Sequence, residues 1–510
     1  MKKINKIFIG GILTLSLLSS CSNFEEINTN PNATTQVSAS LLCTNNILSI
    51  AKFGSGAAEF VNNNTLAKYI GYANLGQSDA QYNKLGAGSF GGMTVVPNLN
   101  KMVEYANANV GVSTANSYKG VAKFVKAWTF FRLTMQMGDI PYSEAGSGAD
   151  GLSKPKYDSQ EAILKSILDD LKAADQDFAN GTTFAGDPTP FNGDPVKWRK
   201  TTNAFALKIL MTLSKKESVT SLNVKTRFAD IVASGFLMDS STPYFGLAFS
   251  AINKHPLSGT NNLFTSRTLL STVLLDNLKN LNDRRMFYWA EPAGEQIVAG
   301  KLQTDPAAYV GVDPSIDWSL LNVGWSSNKY SLLNNRYLAE AGTEPRMLLT
   351  FAEQQLILAE ARIKGWITTG TAETYYQGGV KAALTNVMPV TASYVHTLPI
   401  NQAYIDSYFT GEAAFKATTE DQLKQIWMQR YLLNFMQDPE YSYFEYRRNN
   451  YPVFPINTVT SLNENNRAAL PLRWTYPGSE TNYNRDNLIA ALSSQYGGFD
   501  EINKVMWLLQ

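Results

Sequence analysis

The chain has 510 residues, 44 basic against 43 acidic side chains, a formal net charge of +1 and 44% apolar residues. Charges that nearly cancel exclude the basic stripe of a nucleic-acid binder, and the apolar share argues for a folded body over a disordered stalk. Two cysteines, Cys21 and Cys43, exclude a disulfide framework, and the length exceeds what one hydrophobic core usually holds, so several lobes or one large helical array is expected.

The first element is a leader. Lys2, Lys3 and Lys6 precede an uncharged, mostly apolar run from Ile7 to Leu18, closed by Leu18-Ser19-Ser20-Cys21. A basic segment, a short apolar segment and small residues make a secretory signal, and the cysteine gives it the layout of a bacterial lipoprotein signal. The run is shorter than the ~20 apolar residues of a membrane span. Residues 1–20 are therefore expected to be removed, leaving Cys21 as the lipid-bearing first residue and the protein anchored to a membrane without spanning it. The polar stretch Phe24-Glu25-Glu26-Ile27-Asn28-Thr29-Asn30-Pro31-Asn32 belongs to a tether over residues 21–39. Residues 40–510 form the body.

Ser40 to Phe53 and Ala57 to Tyr72 have helical character. A loop-rich insertion around 71–100 follows, dense in Gly, Asn, Gln and Tyr, and such loops suit recognition. Val121, Phe124, Val125, Trp128, Phe131 and Met135 then recur at helical spacing, so one stripe faces a core. Gly138 supplies a stop, and Pro141 forbids continuation. Asp158 with Glu161 resembles a capping box ahead of the stripe Ile163, Ile167, Leu171 and Ala174. Asp194 before Pro195 marks the next start, followed by Trp198, Thr202, Phe205, Ile209 and Leu213. Three successive amphipathic helices suggest antiparallel packing, loosely tetratricopeptide-like but with no strict 34-residue period.

The second insertion, around 239–335, is less periodic and carries Trp289, Trp318 and Trp325. Helical order is expected to return at Thr343-Glu344-Pro345, with the stripe Leu349, Ala352, Leu356, Ala359 and Ile363 ending at Gly365. Ala372 to Thr385 is its partner, and Thr419-Glu420-Asp421-Gln422 opens another helix. The tail from Tyr451 is rich in Pro, Asn and Arg. Cys43 follows Leu41 and Leu42 and reads as a small buried residue. His255 and His396 lie in no metal or catalytic motif, so both read as structural or surface residues, and no cofactor or metal is implied.

Several of these stretches together resemble the SusD/RagB superfamily, and within it the SusD-like nutrient-binding outer-membrane lipoproteins. They are the Phe24–Asn32 tether, Gly138-Asp139-Ile140-Pro141-Tyr142-Ser143-Glu144-Ala145, Pro155-Lys156-Tyr157-Asp158-Ser159-Gln160 and Gly193-Asp194-Pro195-Val196-Lys197-Trp198. Asn282-Asp283-Arg284-Arg285, the Ala352–Ala361 helix, Tyr446-Arg447-Arg448-Asn449-Asn450-Tyr451-Pro452 and Arg473-Trp474-Thr475-Tyr476-Pro477 with Glu480 and Asn482 complete the set. Each is weak alone, and their order is specific. The chain departs from the family at Asn203-Ala204-Phe205-Ala206-Leu207-Lys208 and at Lys424-Gln425-Ile426-Trp427, framework positions that bear on the subgroup.

The resemblance implies an all-α body with tetratricopeptide-like helix pairs on one side and long loop insertions forming a ligand face on the other. It also implies a partner, a TonB-dependent outer-membrane barrel transporter (SusC-like), over which the lipoprotein sits as a lid facing the cell exterior. Glu25-Glu26 after the cysteine fits export to the cell surface. The ligand implied is an oligosaccharide or a peptide.

A glycan site needs flat aromatic rings for sugar faces and amides, carboxylates and guanidinium groups for hydroxyls. Gln77, Asp79, Gln81, Tyr82 and Asn83 in the first insertion, and Trp289, Trp318 and Trp325 in the second, have that chemistry and are the candidate ligand residues. A lipid-anchored glycosidase would need two carboxylates flanking the scissile bond. No local signature selects such a pair, so no catalytic residue is assigned. A structural or adhesive lipoprotein is the third class.

Overall fold

A computed structural model describes residues 37–54, 57–74, 79–259 and 263–510. Cys21, its leader, most of the tether and Gln77 lie outside the described residues.

The first helices are α1 (Ala39–Ala51), α2 (Ala57–Leu66), α3 (Val95–Asn109), α4 (Val112–Met137), α5 (Gln160–Ala179) and α6 (Pro195–Thr212). The long helix α4 is the spine, with α5 against it and α6 against α5. Its Phe124 and Trp128 meet Trp198 and Phe205 of α6 at ring separations of 4.9 to 5.5 Å. Each large side chain buried in this way contributes roughly 1.5–3 kcal/mol. The helix ends at Gly138, whose φ of +90° is left-handed and whose N–H bonds the Thr134 carbonyl. A Cβ there would run into the Tyr496 hydroxyl.

The second helical group is α7 (Phe351–Ile363), α8 (Ala372–Val387), α9 (Thr419–Asn434) and α10 (Pro439–Asn449). Helix α7 packs on α8 and α9 and also reaches α6, joining the two groups. Two small antiparallel sheets stitch the insertions to this body. Strand β1 (Ile70–Tyr72) pairs with β3 (Thr268–Leu270), and β2 (Phe245–Leu247) pairs with β4 (Arg346–Leu349). Gly246, at φ +154°, is required because a Cβ would collide with the Arg346 carbonyl. The fold is mostly helical, and among the described residues no helix is long and apolar enough to cross a membrane.

Several local expectations are corrected. The helix expected over Ala57–Tyr72 stops at Leu66, because Lys68 turns left-handed at φ +57° and the chain enters β1. The residues after Pro345 form strand β4 before α7 begins. Ser159, not Asp158, caps α5, while the Asp158 carboxylate accepts the N–H groups of Tyr142 and Ser143 at 2.9 and 2.8 Å. Thr418, one residue early, caps α9. The 239–335 insertion carries short helices at Thr272–Asn280, Arg285–Trp289 and Trp318–Ser326, and the tail carries α11 (Arg485–Tyr496). As expected, Asp194 caps α6 with Pro195 at its first position, and Cys43 is fully buried.

Candidate functional site

An open cleft of about 980 Å³ lies between α1, α2 and α4, walled by the turns at 79–94. Its rim is amide-rich: Asn45 on α1, Asn62 and Asn63 on α2, and Asn98 on α3. An amide presents both a donor and an acceptor, which matches sugar hydroxyls and peptide groups alike. Two half-buried aromatic rings, Phe53 and Trp474, supply flat apolar surface. The Trp474 main-chain N–H donates to the Gln136 main-chain carbonyl at 2.9 Å, and its ring makes edge contacts with Tyr443 and Phe444. Trp128 also borders the cleft but is 4% exposed.

The floor is charged. Arg132, an intruder in the apolar stripe of α4, donates to both oxygens of Asp438 at 2.9 Å and pairs with Glu440. Burial opposes ionisation of Asp438, yet the charges of Arg132, Lys208 and Arg346 outweigh it and hold the carboxyl below its usual range. Arg346, on β4, faces Glu59 of α2 at 4.0 Å, and its guanidinium lies 4.4 Å from the Phe53 ring centre. Burial pushes the Glu59 carboxyl up, against the pull of Arg346 and Arg132. Among the described residues no group of three or more His, Cys, Asp or Glu side chains could hold a metal ion.

The expected ligand residues do not converge. Asp79 lines this cleft, exposed and 3.6 Å from Lys84. Gln81 and Asn83 are buried: Gln81 Oε1 accepts the Tyr72 N–H at 2.8 Å, and the Lys68 ammonium donates to the Gln81 main-chain carbonyl at 2.6 Å and to Asn83 Oδ1 at 2.8 Å. Tyr82 is buried, and its hydroxyl donates to the Ile316 carbonyl at 2.9 Å. Trp289 is core, 5.1 Å from Phe435 ring to ring. Trp318 is half-buried in the first turn of its helix. Trp325 borders a second hollow of about 590 Å³ beside Asn328 and Asn335. Arg267 already lies over its ring at 3.5 Å, and its indole N–H donates to the Ser266 carbonyl.

Sequence reasoning missed Arg132, Arg346, Asn62, Asn63, Asn98 and Trp474 as cleft residues. Three of these had a signal in the chain. Asn62-Asn63-Asn64 is a run of poor helix formers inside a helix, and Arg132 interrupts an apolar stripe.

A family model described as starch-binding and associating with the outer membrane, SusD-like, matches residues 31–477. The solved structure of a SusD homologue from Bacteroides fragilis is 40% identical, covers 93% of this chain and 100% of its own, and superposes with a TM-score of 0.88. An outer membrane protein of Bacteroides vulgatus, described as involved in nutrient binding, is 32% identical over 93% of this chain and 100% of its own, at a TM-score of 0.83. A chitin-binding protein shares the fold at 23% identity and a TM-score of 0.69, covering 92% of this chain and 99% of its own. No protein of curated function matches the chain. With a family match over most of its length, and a 40% identical relative over nearly all of it, the chain belongs to the SusD-like family of nutrient-binding, outer-membrane-associated proteins.

Proposed function

We propose that this protein captures an oligosaccharide at the cell surface and passes it, uncleaved, to a TonB-dependent outer-membrane barrel. The observation that carries this reading is the composition of the cleft, an amide rim and two half-buried rings over a charged floor. Its volume lies at the upper end of the roughly 300–1,000 Å³ range of ligand pockets. Rings accept the apolar faces of sugars, and the amides pair their hydroxyls in either sense. The family description, starch-binding, supports a glycan over a peptide. Lipidation at Cys21 would hold the cleft near the barrel mouth.

The test is calorimetric titration of the purified protein with oligosaccharides, alongside chromatography of the ligand after incubation. Binding is expected without turnover, and Trp474→Ala together with Asn98→Ala is expected to weaken it. Unchanged affinity in that variant removes the cleft as the site, and accumulation of shortened saccharide makes the protein an enzyme.

A further inference from the structure

The charges in the cleft are unequally satisfied. Arg132 is met by two carboxylates, and Lys84 has Asp79. Arg346 has less. Its side chain is 9% exposed, its nearest carboxylate oxygen is Glu59 Oε1 at 4.0 Å, and its buried Nε has no hydrogen-bond partner among the described residues. At 4.0 Å the Glu59 contact is beyond hydrogen-bond range, and burial itself disfavours the Glu59 charge. The guanidinium also lies 4.4 Å from the centre of the Phe53 ring, which supplies no lone-pair acceptor, and Asp438 and Glu440, already paired with Arg132, act on it only through their charge.

The backbone offers no easy escape. Arg346 is fixed in β4 opposite Leu247, one pair beyond the irregular step between Phe245 and Gly246. A guanidinium carries five N–H donors in a planar fork, and a buried cation without acceptors is costly. The cost shows in the group itself: burial lowers its ionisation to about 10 in spite of Glu59 and Asp438, so it is still charged at neutral pH. A planar anionic group entering the cleft would supply the acceptors that are lacking, in the two-pronged geometry that arginine favours. Lys52, exposed on the rim, adds a second positive charge on the way in.

We propose that Arg346 receives an anionic substituent, carboxylate or sulfate, on the captured saccharide, so that the ligand class is an acidic oligosaccharide. The proposal rests on the reading of the cleft as an oligosaccharide site, and it adds the chemistry by which one saccharide is preferred over another. A ligand with occasional acidic groups suits a single such cation.

The experiment compares three probes by calorimetry on the purified full chain: galacturonate oligomers, the same oligomers with their carboxyls reduced, and the reduced oligomers after sulfation. The unmodified protein is expected to bind one acidic form at least roughly tenfold more tightly than the reduced form, the gain of one charge-assisted contact. The stronger acidic probe identifies carboxylate or sulfate as the partner. Arg346→Gln is expected to erase the preference, so that acidic and reduced oligomers bind alike, with unfolding temperature as the check on folding. Glu59→Gln removes the competing carboxylate and is expected to tighten the acidic probe only, a test that stands even if Arg346→Gln fails to fold. Equal binding of acidic and reduced oligomers overturns the proposal and leaves oligosaccharide capture standing. A preference that survives in folded Arg346→Gln overturns it too. Failure of all three probes, with peptides bound instead, overturns both.

Discussion

Arg448 grips Glu360 through two parallel hydrogen bonds, Nη1 to Oε1 at 2.5 Å and Nη2 to Oε2 at 2.9 Å, with the two side chains 4% and 0% exposed. Glu445 bridges the same arginine to Arg430, at 2.8 and 2.6 Å. Burial opposes ionisation of Glu445, yet Arg430 and Arg448 hold its carboxyl down at about 2. The cluster ties α7, α9 and α10 together beneath the helical core. Removing one partner strands the other in a dry site, so Glu360→Gln is expected to cost about 3–5 kcal/mol in urea unfolding. The joint change Glu360→Leu with Arg448→Met should cost less than the single change, because no unpaired charge remains. A single-variant loss below about 1 kcal/mol would place the pair with ordinary surface bridges.

The helical frame was legible because its signals are local. The stripe Val121, Phe124, Trp128, Phe131 and the Asp194-Pro195 start each need only a few neighbouring residues to act. The end of α2 was not legible. No Gly or Pro stops it, and the left-handed turn at Lys68 is held by bonds to residues 13 and 15 positions onward. The cleft was illegible for a related reason: Phe53, Glu59, Arg132, Arg346 and Trp474 meet only after the helices pack. Residue type in a loop also failed to separate platform from core. Trp289 and Trp474 both sit near polar loop chemistry, and only packing shows that the first is sealed while the second borders the cleft.

That contrast between tryptophans is measurable. Trp289 is 5% exposed, packed on Phe435 with the Arg285 guanidinium 5.5 Å from its ring. Trp289→Ala is expected to cost about 3–5 kcal/mol of stability, as large-to-small core changes do. Affinity per folded molecule should stay unchanged, by titration corrected for the folded fraction. A Trp289→Ala protein with full stability but no ligand binding would return this residue to the site.

The anchor is testable without knowing the ligand. Cys21→Ala removes the sulfur to which lipid would be joined, and the body begins some distance beyond it, with Ser38 capping α1. The variant is expected to fold and bind like the unmodified protein but to leave the membrane fraction, since stable attachment needs two or more acyl chains. Fractionation by ultracentrifugation decides, and a Cys21→Ala protein that still sediments with membranes refutes the lipid assignment.

Lys68 gives a pH prediction whose sign can be derived. Its ammonium is wholly buried, donating to the Gln81 carbonyl at 2.6 Å and Asn83 Oδ1 at 2.8 Å, and its own carbonyl accepts the Ser271 hydroxyl. Burial lowers its ionisation to about 7, against the pull of Asp313. In the unfolded chain a lysine titrates near ~10.4. Between these values the unfolded state holds more protons than the folded one, so this group makes stability rise with pH. Below pH 7 both states are protonated and its contribution is constant. The slope is expected to reach about 1.4 kcal/mol per pH unit over roughly pH 7.5–9.5. Lys68→Met should flatten that slope in urea titrations at three pH values across the window. Parallel pH profiles for the two proteins would show that the ammonium keeps its charge inside the fold, stabilised by the turn at 79–84 that it holds against the cleft wall.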